Sequence, residues 1–142
     1  MPEMSFREKS AWISFVLLLV VFGAYFWSVG GETTGRIDSQ TGVIVQVGLI
    51  AAFFMLEIVL HLVLTVQAPS EARAPRDERE RLIEMRASHI AFYVLVVGAL
   101  AVVGLMHVTR SVWVMAQSLM LAIVVAQIVR FGAQIVYFRR GA

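Results

Sequence analysis

The chain has 142 residues, 59% of them hydrophobic and only 15% charged, with a formal net charge of +2 and no cysteine. That balance lies far from a soluble globular domain, and it excludes disulfides, thiolate metal centres and cysteine nucleophiles. The few charges are of both signs, so the basic excess does not read as a nucleic-acid footprint.

Four apolar runs occupy residues 11–29, 43–66, 88–107 and 112–138. Each is near or above the ~20 residues that cross a hydrocarbon layer as a helix. Unpaired backbone amides exclude open strands in lipid. The runs are also too long and too uniformly apolar for barrel strands, which alternate. The expectation is an all-α membrane protein, one domain over 1–142, with four transmembrane helices in a bundle.

Ser5 followed by Glu8 has the spacing of a capping box, so the first helix begins before Trp12 and enters the membrane without a break. Arg7 and Lys9 precede an apolar run, as in a secretory signal. The run is long, however, ends in Tyr25, Phe26 and Trp27, and has no small-residue cleavage pattern, so it reads as a retained span. Glycines at 30, 31, 35 and 42 punctuate a polar outer loop.

The second span carries Gln46, Glu57 and His61 on one stripe, within about 60° around a helix of 3.6 residues per turn. Between Gln46 and Glu57 it is wholly apolar. In the inner loop 67–87, Pro69 and Pro75 come first. Asp77 then stands as the cap of a helix in which Asp77 pairs with Arg81 and Arg81 with Glu84, and this helix runs on into the third span. That span adds His89 and Tyr93, with His107 at its outer end, and a very short turn around Thr109 to Ser111 follows. The fourth span repeats a polar stripe in Gln127, Arg130 and Gln134.

Arginine and lysine fix the orientation. Arg7, Lys9, Arg73, Arg76, Arg79, Arg81, Arg86, Arg139 and Arg140 lie on one side, Arg36 and Arg110 on the other. This nine-to-two bias places both termini and the loop 67–87 in the cytoplasm. Trp12, Tyr25, Trp27, Trp113 and Tyr137 fall at interface positions, where amphipathic rings anchor spans.

A weak internal echo lays Lys9-Ser10-Ala11-Trp12-Ile13-Ser14-Phe15 on Arg86-Ala87-Ser88-His89-Ile90-Ala91-Phe92, and Glu57-Ile58-Val59-Leu60 on Gln127-Ile128-Val129-Arg130. Two duplicated helical hairpins, related by an axis along the membrane normal, would produce it. Small residues four apart, Gly48 with Ala52, Ala87 with Ala91 and Ala122 with Ala126, permit close helix approach on spans two to four.

Ionisable groups at bilayer depth cost about 2.5 to 3.5 kcal/mol each, so they face a protein interior or a cavity and mark a candidate site. At 1.5 Å per residue Glu57 lies ~15 Å from Gln67 and Arg130 ~14 Å from Arg139, which makes them level and suggests a pair across spans two and four. The candidate polar cluster is Glu57, His61, His89, Tyr93, Gln127, Arg130 and Gln134. A buried ion pair that only fixes helix register is the plain alternative.

His61 and His89 fit proton relays, because imidazole changes charge near physiological pH. No cofactor is expected. A divalent metal on Glu57, His61 and His89, or a haem between the two histidines, is the minor alternative, and a full ligand set is not visible. The methionines show no repeat with histidine and read as packing. No phosphate cradle or nucleophile constellation is present, so an enzyme is not expected.

The succession Glu8-Lys9-Ser10-Ala11-Trp12, Tyr25-Phe26-Trp27, His61, Ala74-Pro75-Arg76-Asp77-Glu78-Arg79-Glu80-Arg81, Ala87-Ser88-His89 and Tyr137-Phe138-Arg139-Arg140 resembles a group of small, four-span bacterial inner-membrane proteins of unknown function. The resemblance covers nearly the whole chain, with the Asp-Glu-Arg motif before the third span as its most specific element. It implies a topology and a bacterial inner-membrane location; it implies no activity for any residue.

The resulting expectation is a non-enzymatic helix bundle, a homodimer in the lipid bilayer, whose polar cluster senses or binds a proton or small ligand and signals to a cytoplasmic partner at loop 67–87. A small proton or ion transporter using the same cluster is the competing reading.

Overall fold

The computed structural model describes residues 5–30, 39–67, 69–70, 75 and 77–140. Arg36 of the first loop, and Arg73 and Arg76 of the loop before the third helix, lie outside the described residues. Four long helices account for nearly all of the rest: α1 (Phe6–Gly30), α2 (Ser39–Gln67), α3 (Glu78–Thr109) and α4 (Val112–Arg140). All four are long and apolar enough to cross a membrane. Their apolar side chains run round the helix instead of forming one stripe, as expected for helices solvated by lipid. Most large apolar side chains are exposed, Ile44, Leu62, Val97 and Leu100 among them. Exposed apolar surface of this kind suits helices embedded in a lipid bilayer.

The ends of the helices follow local chemistry. Ser5 accepts the Glu8 N–H on its Oγ at 3.2 Å and the Lys9 N–H on its carbonyl, the Ser half of the expected capping box. Asp77 occupies the N-cap position of α3 with an extended backbone, and its carbonyl accepts the Arg81 N–H. Its side chain makes no capping bond, contrary to the sequence expectation. The connection from α3 to α4 is only Arg110 and Ser111. Arg110 adopts the left-handed conformation (φ 50°) and returns its N–H to the Met106 carbonyl, while Ser111 caps α4 through the Val114 N–H. A helix C-terminus usually places glycine there, because a Cβ is strained at positive φ.

The chain divides into two compact units, Met1–Ala74 and Pro75–Ala142. Each is an antiparallel hairpin. In the first, α1 buries Ala11, Ser14, Leu18, Phe22 and Tyr25, spaced three and four apart as one helix face requires. The Phe22 ring packs in a tilted contact against Phe53 of α2, with centroids 5.3 Å apart. In the second, α3 buries Ile83, Ala87, Ala91 and Val102, and α4 buries Met120, Val124, Ala126, Gln134 and Ile135. The two backbones come so close that a Cβ added to Gly98 would stand 2.9 Å from the Ala122 Cβ. The small residues of spans three and four are therefore packing residues, as anticipated. Gly48 and Ala52 of α2 are exposed, and a Cβ on Gly48 would meet nothing within 4 Å.

Candidate functional site

Two serines on α1, four residues apart, face a glutamate and a histidine on α2, also four apart. Ser14 donates its hydroxyl to Glu57 Oε1 at 2.6 Å, and one turn away Ser10 Oγ lies 2.7 Å from His61 Nε2. Because i and i+4 stack on one face of a helix, the two contacts form the rungs of a ladder between antiparallel helices. Ser14 is 1% exposed, while Glu57, His61 and Ser10 are partly exposed.

The second imidazole nitrogen fixes the proton arrangement. His61 Nδ1 sits 2.8 Å from the Glu57 backbone carbonyl, which can only accept, so Nδ1 carries the hydrogen. In neutral His61, Nε2 is then an acceptor and the Ser10 hydroxyl donates to it. When His61 takes a second proton, Nε2 becomes the donor. Ser10 must then turn its hydroxyl hydrogen elsewhere, for example to a carbonyl one turn back on its own helix. The carboxyl group of Glu57 lies one turn away, held by Ser14.

The second hairpin has a different polar centre. Arg130 Nη2 lies 3.7 Å from Glu84 Oε1, with the two side chains 34% and 40% exposed. Its guanidinium carbon stands 5.8 Å from the centroid of the Phe131 ring, and Nε is buried with no hydrogen-bond partner among the described residues.

The sequence suggested that Glu57 and Arg130 pair with each other. In the structure each has its partner inside its own hairpin, Glu57 in Ser14 and Arg130 in Glu84. Counting depth from helix ends placed Arg130 in hydrocarbon. The structure sets it beside Glu84 of α3.

These observations join a family match. The sequence model of DUF2178, described as a predicted membrane protein, matches residues 7–142. The chain belongs to this family. No curated protein and no solved structure matches it.

In this DUF2178 protein the remaining candidates distribute unevenly. His89 is exposed on α3, and Tyr93 is 69% exposed with its ring against Phe92. Gln134 is buried and Gln127 partly so. His89 and Tyr93 thus stand outside the buried face of α3, which Ile83, Ala87 and Ala91 form. His107 turns Nδ1 back to the Val103 carbonyl at 2.8 Å. Among the described residues no three or more His, Asp or Glu side chains gather as a metal-ligand set.

Ser10 and Ser14 were not placed in the candidate cluster from the sequence, and Glu84 was read only as the partner of Arg81. A signal for the serines was available: their four-residue spacing matches that of Glu57 and His61, and Ser14 lies nine residues, ~14 Å, from Ser5, close to the depth of Glu57 counted from Gln67.

Proposed function

We propose that this DUF2178 protein is a non-enzymatic membrane protein whose first hairpin carries a proton-responsive clasp made of Ser10, Ser14, Glu57 and His61. The observation that carries the reading is the contact of His61 Nε2 with Ser10 Oγ at 2.7 Å across two helices. That contact persists in either protonation state but reverses direction, from a neutral hydrogen bond to a charge-assisted one of roughly twice the strength. Protonation therefore tightens the hold of α1 on α2. The two polar contacts join α1 to α2 one turn apart, beside the Phe22–Phe53 ring contact, so a change in one rung acts directly on the joint between the helices.

The bias of arginine and lysine supports placing both termini in the cytoplasm and the protein in the inner membrane, where its clasp would respond to cytoplasmic proton activity and pass the change to a cytoplasmic partner or a second copy. Residues 47–56 of α2 are all apolar, which favours binding over conduction through the span.

The test is a spin-label distance between the cytoplasmic ends of α1 and α2 in the reconstituted protein, across the range in which imidazoles change charge, about pH 5 to 8. The distance distribution should narrow at the acid end in the wild type and stay constant in His61→Gln. An equal response in both proteins would contradict the reading.

A further inference from the structure

The Ser10 hydroxyl is aimed differently from those of Thr65, Thr109 and Ser28. Thr65 and Thr109 fold back onto the carbonyl one turn earlier in their own helix, at 2.8 and 3.0 Å, and Ser28 donates to the Tyr25 carbonyl, the usual resort of a helical hydroxyl. Ser10 instead meets His61 Nε2 on the neighbouring helix at 2.7 Å. The imidazole is oriented in turn, its Nδ1 held 2.8 Å from the Glu57 backbone carbonyl. A hydroxyl in reach of a base that a third group orients is the arrangement that activates a serine as a nucleophile. The base takes the proton as the oxygen attacks, so no free alkoxide has to form.

Access and depth select the electrophile. Ser10 and His61 are both partly exposed. Ser10 stands between the exposed Lys9 and Ala11, where the apolar run begins, so a reagent reaches it with a polar head among charged residues and a hydrocarbon tail along the span. A long-chain acyl thioester has that shape. Its leaving group also departs readily, because a thiol of pKa about 8.5 is a far stronger acid than an alcohol.

We propose that Ser10 is a nucleophile that accepts one acyl group from a long-chain acyl thioester. Ser10 Oγ bonds to the thioester carbonyl carbon while its proton passes to His61 Nε2. The carbon–sulfur bond then breaks, the thiolate takes that proton and leaves as the thiol, and His61 returns to its neutral form. The product is an O-acyl serine, one per chain, which has no hydrogen left to donate to His61. This goes beyond the proton-responsive clasp and shares with it only the Ser10–His61 contact. The spin-label distance tests the clasp and acylation tests the nucleophile, so either can fail alone.

The reconstituted protein is incubated with a fluorophosphonate, which marks activated serines, and separately with palmitoyl-coenzyme A, and the modified residue is located by tandem mass spectrometry. Both reagents should mark Ser10 in the wild type. His61→Ala should be marked about a hundred-fold more slowly or worse, the low end of what a positioned base contributes, and added imidazole should restore part of the rate, which a purely structural hydrogen bond would not allow. Equal rates in wild type and His61→Ala, a loss that imidazole does not rescue, a fluorophosphonate mark that persists in Ser10→Ala, or no mark at all would overturn the nucleophile. A fluorophosphonate mark on Ser10 with the acyl group found only on Lys9, or on no residue, would overturn the thioester as its donor.

Discussion

Ser14 is almost completely buried and its hydroxyl points at Glu57 Oε1 across the helix pair at 2.6 Å. A carboxyl group within an apolar span has little alternative solvation, so the serine takes the place that water would have. Ser14→Ala should weaken the hairpin by ~0.5 to 2 kcal/mol, the span between hydrogen bonds measured within membranes and those made to charged groups in general. Glu57→Gln keeps an acceptor oxygen for Ser14 and should be milder. Unfolding in mixed micelles ranks the two; a larger loss for Glu57→Gln would count against the bond as drawn.

Gly98 makes a second, independent prediction. An added Cβ would stand 2.9 Å from the Ala122 Cβ and 3.6 Å from its Cα, and backbone cannot give way as a flexible side chain can. Gly98→Ala should cost ~1 to 3 kcal/mol as overpacking, and Ala122→Gly should rescue part of it. Gly104→Ala, in open space on the same helix, should be neutral or slightly stabilising through helix propensity. Thermal unfolding of the four proteins distinguishes close packing from a general dislike of substitution in α3.

The Arg130–Glu84 pair is more than a third exposed at the glutamate and about a third at the arginine. Solvent screening therefore limits it to ~0.2 to 1 kcal/mol, whereas a buried pair would lose 3 to 5 when one partner is removed. A double-mutant cycle with Arg130→Met and Glu84→Gln should return a coupling in the lower range. A coupling of several kcal/mol would mean that the pair is buried in the membrane.

Much of the fold was legible because lipid imposes it. Four apolar runs of sufficient length permit only helices, and Arg110-Ser111 is too short to do anything but reverse the chain. The echo of residues 9–15 in 86–92 lays Ser10 and Ser14 on Ala87 and Ala91, and both pairs occupy helix faces turned toward their partner helix. The candidate site was read only in part. Glu57 and His61 stood out because charge in an apolar run is conspicuous, while serine is common enough there to pass as filler.

That Glu84 is the partner of Arg130 was not legible, for a geometric reason. The apolar run of α4 continues to residue 138 while that of α3 begins at 88, so the last turns of α4 lie beside the charged start of α3. Depth counted from a helix end cannot register that offset; the pairing of the two helices does. The same register leaves His89 and Tyr93 on the exposed side of α3.

The most direct test is nitrogen-15 magnetic resonance of the His61 ring in the reconstituted protein at alkaline pH. Nδ1 should carry the proton and Nε2 should show an accepted hydrogen bond that Ser10→Ala removes. A ring protonated at Nε2, or one whose Nε2 signal ignores Ser10→Ala, would contradict the clasp.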